Sequence, residues 1–117
     1  MHMVIALFVG MLAADMTGNW TLRFEKNFSG QAATSECTVQ QQEDKLTVTC
    51  DDGKAKLTGE MKDRRVTLEG TTGRNNEIVV NYKGVVNQEG SFLKGAWQYT
   101  DPADKKEKTG AFSFEKH

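Results

Sequence analysis

From Trp20 to Phe114 the chain alternates apolar and polar residues with a period of two, the period of a strand buried on one face. Trp20, Leu22 and Phe24 interleave with Thr21, Arg23 and Glu25, and the same rhythm returns through Cys37, Val39, Leu46, Val48, Tyr82, Trp97, Phe112 and Phe114. No 3.6-residue apolar period follows residue 15, so little helix is predicted. Turn signals cut the alternation at Glu43-Asp44, Asp52-Gly53, Asp63-Arg64 and Glu89-Gly90, and a longer loop contains Asp101-Pro102. The pattern predicts eight short strands starting near Asn19, Ser35, Lys45, Lys54, Arg65, Glu77, Ser91 and Lys108.

The two cysteines fix one register. With Glu43-Asp44 as a two-residue turn, Gln42 faces Lys45, Val39 faces Val48 and Cys37 faces Cys50. Counting outward from the turn, Cys37 and Cys50 form a non-hydrogen-bonded pair, whose α-carbons approach to about 4.5 Å, within disulfide reach. Val39, Leu46 and Val48 share the cysteine face, and Thr38, Gln40, Thr47 and Thr49 take the other. The pair is read as a structural disulfide, with two buried thiols as the alternative.

The remaining turns extend this parity. They set Cys50 against Ala55, Val48 against Leu57, Met61 against Val66, Gly59 against Leu68, Val86 against Leu93, Gly84 against Gly95, and Tyr82 against Trp97. The last loop brings Tyr99 opposite Lys108 and Gly95 opposite Phe112. Every connection is a hairpin, which makes an antiparallel meander, and an even strand number lets the last strand lie antiparallel beside the first. The fold expected is all-β, an eight-stranded antiparallel up-and-down barrel with a short apolar N-terminal segment; a two-sheet sandwich would use the same alternation. The inward face holds Trp20, Phe24, Tyr82, Trp97, Tyr99, Phe112 and Phe114 together with Gly59, Gly70, Gly84, Gly95 and Gly110. Large side chains opposite glycines are how a narrow barrel fills itself, so a packed interior competes with a small cavity.

The one strongly apolar run, Met3 to Ala14, is too short to span a bilayer as a helix and matches the apolar region and small-residue cleavage site of a secretory leader. Residues 1–15 are read as a leader remnant or an N-terminal docking segment, and residues 16–117 as the barrel. Export to a secreted or periplasmic location follows, where a disulfide is permitted. The formal net charge of -1, mixed in sign, leaves no basic footprint for nucleic acid.

Thr17-Gly18-Asn19-Trp20 on the first strand resembles the Gly-x-Trp signature that opens lipocalin-like (calycin) barrels. Leu57-Thr58-Gly59, Tyr82-Lys83-Gly84, Leu93-Lys94-Gly95-Ala96-Trp97 and Gly110-Ala111-Phe112 extend the similarity over nearly all of residues 17 to 116. Together they resemble a group of small exported bacterial barrels of largely unassigned function, which implies a fold far more than an activity. Avidins share the opening Thr-Gly-x-Trp and the meander. Their sites bring several hydroxyls, an Asn and stacked tryptophans to biotin, whereas this lumen supplies Tyr82, Tyr99 and two tryptophans.

Catalytic chemistry finds little support. Both histidines, His2 and His117, are terminal, so the interior offers no imidazole base, haem ligand or zinc ligand. Parity turns Glu60, Glu69, Glu107 and Glu115 outward and leaves Gln41 and Lys108 near the rims. No enzyme activity, catalytic residue, metal or other cofactor is expected. Asn19-Trp20-Thr21 and Asn27-Phe28-Ser29 fit the glycosylation triplet, and such triplets arise by chance. Val79, Val85 and Phe92 face outward; merged with Ala96 into one patch, they would support a homo-oligomer. The leading expectation is a binding module that takes a small apolar or aromatic molecule against Trp20, Tyr82, Trp97 and Tyr99. The alternative is an interaction or structural protein with a filled barrel, working as a protease-inhibitor-like contact through the apolar leader and Asp15 to Gly18, or assembling through its N-terminal segment.

Overall fold

The computed structural model describes residues 15–27, 30–72 and 75–117. The apolar leader therefore lies outside the described residues, apart from Asp15. The strands are β1 (Gly18–Phe24), β2 (Ala33–Gln42), β3 (Lys45–Cys50), β4 (Ala55–Lys62), β5 (Arg65–Thr72), β6 (Ile78–Val86), β7 (Phe92–Thr100) and β8 (Glu107–Lys116). Each pairs antiparallel with the next, and β8 closes on β1, giving one eight-stranded up-and-down barrel. Closure sets Leu22 opposite Phe114 and Phe24 opposite Phe112. A sandwich would leave edges unpaired; here every strand has two neighbours.

The predicted registers are present. Cys37 faces Cys50, Val48 faces Leu57, Gly59 faces Leu68, Tyr82 faces Trp97 and Gly95 faces Phe112. Two turns differ in detail. In the β3–β4 connection, Gly53 N–H donates to the Cys50 carbonyl (3.2 Å), and Asp51 and Asp52 take φ of 53° and 57°. The tight turn thus sits one residue earlier than Asp52-Gly53, since aspartate tolerates the left-handed region well enough to occupy it. The β6–β7 turn is organised by Asn87, whose side-chain carbonyl accepts from the N–H groups of Ser91 (2.8 Å) and Phe92 (3.2 Å), with Gly90 at φ 75°.

The disulfide Cys37–Cys50 joins β2 to β3 with α-carbons 4.0 Å apart, and both residues are buried. Around it the core is built from hydrophobic side chains: Trp20, Val39, Leu46, Val48, Val66, Val86, Leu93 and Phe114 are essentially sealed from solvent, no described charged residue is buried, and the one hydroxyl-bearing side chain in it among the described residues is Tyr82. Each such large side chain contributes about 1.5–3 kcal/mol when removed from water. Glycines shape the wall. A Cβ at Gly95 would lie 1.9 Å from the Lys83 carbonyl oxygen and 2.6 Å from the Gly84 α-carbon, so β6 and β7 touch backbone to backbone there. At Gly110 a Cβ would stand 2.5 Å from the Trp97 ring, which lies where that side chain would be.

Outward positions carry threonine, lysine and glutamate, as in Thr38, Thr49, Lys56, Thr58 and Glu69. This apolar-in, polar-out arrangement is the reverse of a membrane barrel. No helix among the described residues is long and apolar enough to cross a membrane. Val79, Val85 and Phe92 are exposed, at 46%, 53% and 39%. They do not join through Ala96: Val79 and Val85 sit at opposite ends of β6 with Asn81 and Lys83 between them, and Ala96 lies opposite Lys83.

Candidate functional site

The two ends of the barrel differ. One carries the short β2–β3, β4–β5 and β6–β7 turns and the start of β1; the other carries the β1–β2, β3–β4, β5–β6 and β7–β8 connections. At the first end, Met16 is a plug, 1% exposed. Its N–H donates to Gln41 Oε1 (2.8 Å), and its carbonyl accepts from Trp20 Nε1 (2.7 Å). The Gln41 N–H in turn donates to Thr17 Oγ1 (3.1 Å), and Lys116 Nζ reaches the Asp15 carbonyl (3.3 Å). Asp15 folds the segment over: its carboxylate accepts from the Thr17 N–H (2.9 Å), a bond that holds its pKa below the ordinary carboxylate value. Residues 15–17 thus close that end, and Trp20 belongs to the closure, with its ring edge-on to Phe114 at 5.9 Å.

The other end is open. A cavity of about 170 Å³ enters the lumen there, between β1 and β6. Its walls are Leu22, Phe24, Cys50, Ala55, Leu57, Gly70, Val80 and Tyr82, all inward by parity, and Ser35, Asp51, Lys56, Thr71 and Thr72 complete the lining. The strand alternation explains the wall, and small residues at Ser35, Ala55 and Gly70 explain the space. Phe112 and Phe24 hold the Tyr82 ring from two sides, edge-on at 5.4 Å and tilted at 6.5 Å.

Tyr82 is the polar group on this wall that is most deeply set, 5% exposed. Burial alone pushes its phenol up to about 12, so it is a neutral hydroxyl at any ordinary pH. Among the described residues no protein group hydrogen-bonds that hydroxyl. The two charged residues on the lining, Asp51 and Lys56, are exposed and opposite in sign.

The four aromatics expected to share one site are divided. Trp20 lies at the plugged end, and Tyr82 lines the cavity. Trp97 and Tyr99 stack on each other (5.8 Å, 19° between planes) and line a separate, shallower depression with Lys26, Asn27, Asp101 and Lys108. There Lys108 pairs with Asp104 at 3.0 Å, and the hydrogen bond from the Lys106 N–H, then that from Lys108, lowers the Asp104 pKa. Leu22, Leu57, Val80 and Gly70 were in the inward set or its parity but were not expected as site residues. The signal that marks them is three small residues, Ser35 on β2, Ala55 on β4 and Gly70 on β5, at one end of the barrel.

Among the described residues no group of three or more His, Cys, Asp or Glu stands close enough to hold a metal ion. His117 lies on the outer surface, with Nε2 2.6 Å from Thr21 Oγ1 and 3.2 Å from Glu36 Oε1. A scan against family models and a search of curated proteins each find no match to the chain.

Proposed function

We propose that this protein is an exported lipocalin-like barrel that binds a small apolar or aromatic molecule at the open end of its lumen, without catalysing a reaction. The observation that carries this reading is the cavity of about 170 Å³ walled by Leu22, Phe24, Leu57, Val80 and Tyr82. A cavity of about 150 Å³ is enough for one benzene ring. An apolar wall with few polar groups is the general form of a small-molecule site. The buried disulfide is compatible with an oxidising, exported location. Of the residues on which the inhibitor-like reading would draw, Met16 is buried and Thr17 is hydrogen-bonded to Gln41, while the Asp15 and Thr17 side chains are exposed.

Native mass spectrometry of protein purified from its own host tests the proposal, with Ala55→Leu as the companion variant because leucine there fills the mouth. A retained small molecule on the wild type, absent from the variant, is the expected outcome. Wild type and Ala55→Leu carrying the same adduct would move the site out of the lumen, and no adduct together with no uptake of ring-sized probes would overturn the binding function.

A further inference from the structure

Resting on that reading, we infer that the molecule taken up is an uncharged, single-ring compound bearing one hydrogen-bond acceptor, and that Tyr82 is the residue that selects it. Three observations converge on this class. The volume, about 170 Å³, admits one ring and a short substituent. The wall has no buried charge to pair with an ionic ligand, and the two charged residues at the lining, Asp51 and Lys56, are exposed and opposite in sign. A carboxylate entering such a site would lose its hydration with nothing fixed to replace it, which is costly. The third is Tyr82 itself, whose side chain is 5% exposed and lines the cavity between Phe24 and Phe112, and whose neutral hydroxyl has no acceptor among the described residues and remains within reach of solvent.

A hydroxyl in that position discriminates. A ligand with an acceptor at the right depth replaces the solvent partner of the O–H donor; one without it covers the donor and leaves it unmet, and the difference is about the free energy of one hydrogen bond. The Phe24 and Phe112 rings fix the Tyr82 ring plane, so the donor is held in place before the ligand arrives and little side-chain entropy is lost on binding. The hydroxyl stays protonated well above neutral pH, so the preference for an acceptor holds across the physiological range.

The test uses three ring probes on the whole protein, followed by chemical-shift titration. Acetophenone carries a carbonyl acceptor; α-methylstyrene has the same shape with a methylene in its place; benzoate carries a charge. Acetophenone should bind about fivefold more tightly than α-methylstyrene, as one hydrogen bond of ordinary net strength requires. Benzoate should be weaker than acetophenone by about tenfold or more. Tyr82→Phe, which keeps the ring packed between Phe24 and Phe112, should bring acetophenone and α-methylstyrene to equal affinity. Equal binding of those two by the wild type overturns the role of Tyr82 while leaving the cavity as a site. Benzoate binding as well as acetophenone overturns the preference for a neutral ligand. Failure of all three to bind overturns the binding function together with this inference. The wild-type comparison stands without any variant, so poor folding of Tyr82→Phe does not decide the matter.

Discussion

Replacing Gly95 and Gly70 by alanine, one at a time, separates two kinds of tight contact in the barrel wall. At Gly95 the added methyl would meet backbone: the Lys83 carbonyl oxygen at 1.9 Å and the Gly84 α-carbon at 2.6 Å. A carbon and a carbonyl oxygen rest at about 3.3 Å or more, so β7 must retreat from β6 by roughly 1.4 Å. A closed barrel has no free edge to absorb that movement, and the β6–β7 ladder must stretch. Overpacking of this kind costs about 1–3 kcal/mol and each weakened ladder bond about 1 kcal/mol, so Gly95→Ala should lose ~3 kcal/mol. At Gly70 the methyl would meet Leu57 Cδ2 at 2.3 Å, the far end of a side chain that borders the open cavity, while the nearest backbone atom, the Lys56 carbonyl oxygen, stands at 3.2 Å and need give by only a few tenths of an ångström. Leu57 has room to turn aside at a cost of about 0.5–1.5 kcal/mol, and the lower entropy of the unfolded alanine chain returns about 0.4–1 kcal/mol. Gly70→Ala should therefore be close to neutral. Urea unfolding followed by the fluorescence of the buried Trp20 and Trp97 measures both; the midpoints of the two variants should differ by roughly 2 M. Equal stability of the variants, within about 0.5 kcal/mol, would refute the backbone contact between β6 and β7.

Reduction of Cys37–Cys50, which are 13 residues apart in sequence, should lower stability by ~3 kcal/mol in the chain-entropy model, read as a drop in melting temperature with reductant that Cys37→Ala/Cys50→Ala lacks. Met16→Ala should cost about 2–4 kcal/mol, because the plug is sealed and its removal leaves a void above Trp20; thermal denaturation measures it, and a loss under 1 kcal/mol would mean the end is closed by other groups. In an absorbance titration, one tyrosine should ionise near pH 12 in the native protein and disappear from that range in Tyr82→Phe. The sign for stability follows from the raised value: the unfolded phenol ionises near 10, so Tyr82's contribution is complete below pH 10 and is lost as pH rises to about 12, on the order of 3 kcal/mol in all.

The register was legible in the residues because each hairpin constrains the next. Once Cys37 faced Cys50, a slip of one residue anywhere would have turned Val48, Leu57 or Tyr82 to solvent, and the turn residues left no spare position. Asp51 and Asp52 took the left-handed positions expected of Asp52-Gly53 without disturbing the pairing, since the connection kept its length. The Met16 plug was less visible: one apolar residue before a strand carries no period, and only the need of the Trp20 indole for an acceptor hinted at it. Parity also assigned Trp20, Tyr82, Trp97 and Tyr99 to one interior without giving their depth. Depth depends on strand tilt and on which side chains fill the space between them, so alternation could list the lumen residues but could not divide them between a plug, a cavity and a rim depression.

The seam between β1 and β8 has a kinetic consequence. Each of the other pairings joins neighbours in sequence and closes over a short loop, whereas this one brings Leu22 to Phe114 across almost the whole chain. Loop-closure entropy and contact order make it the last pairing to form and the step that limits the folding rate. Until it forms, β1 and β8 are two open edges able to pair with another molecule, so folding yield should fall with protein concentration during refolding even though the finished barrel presents no edge at all.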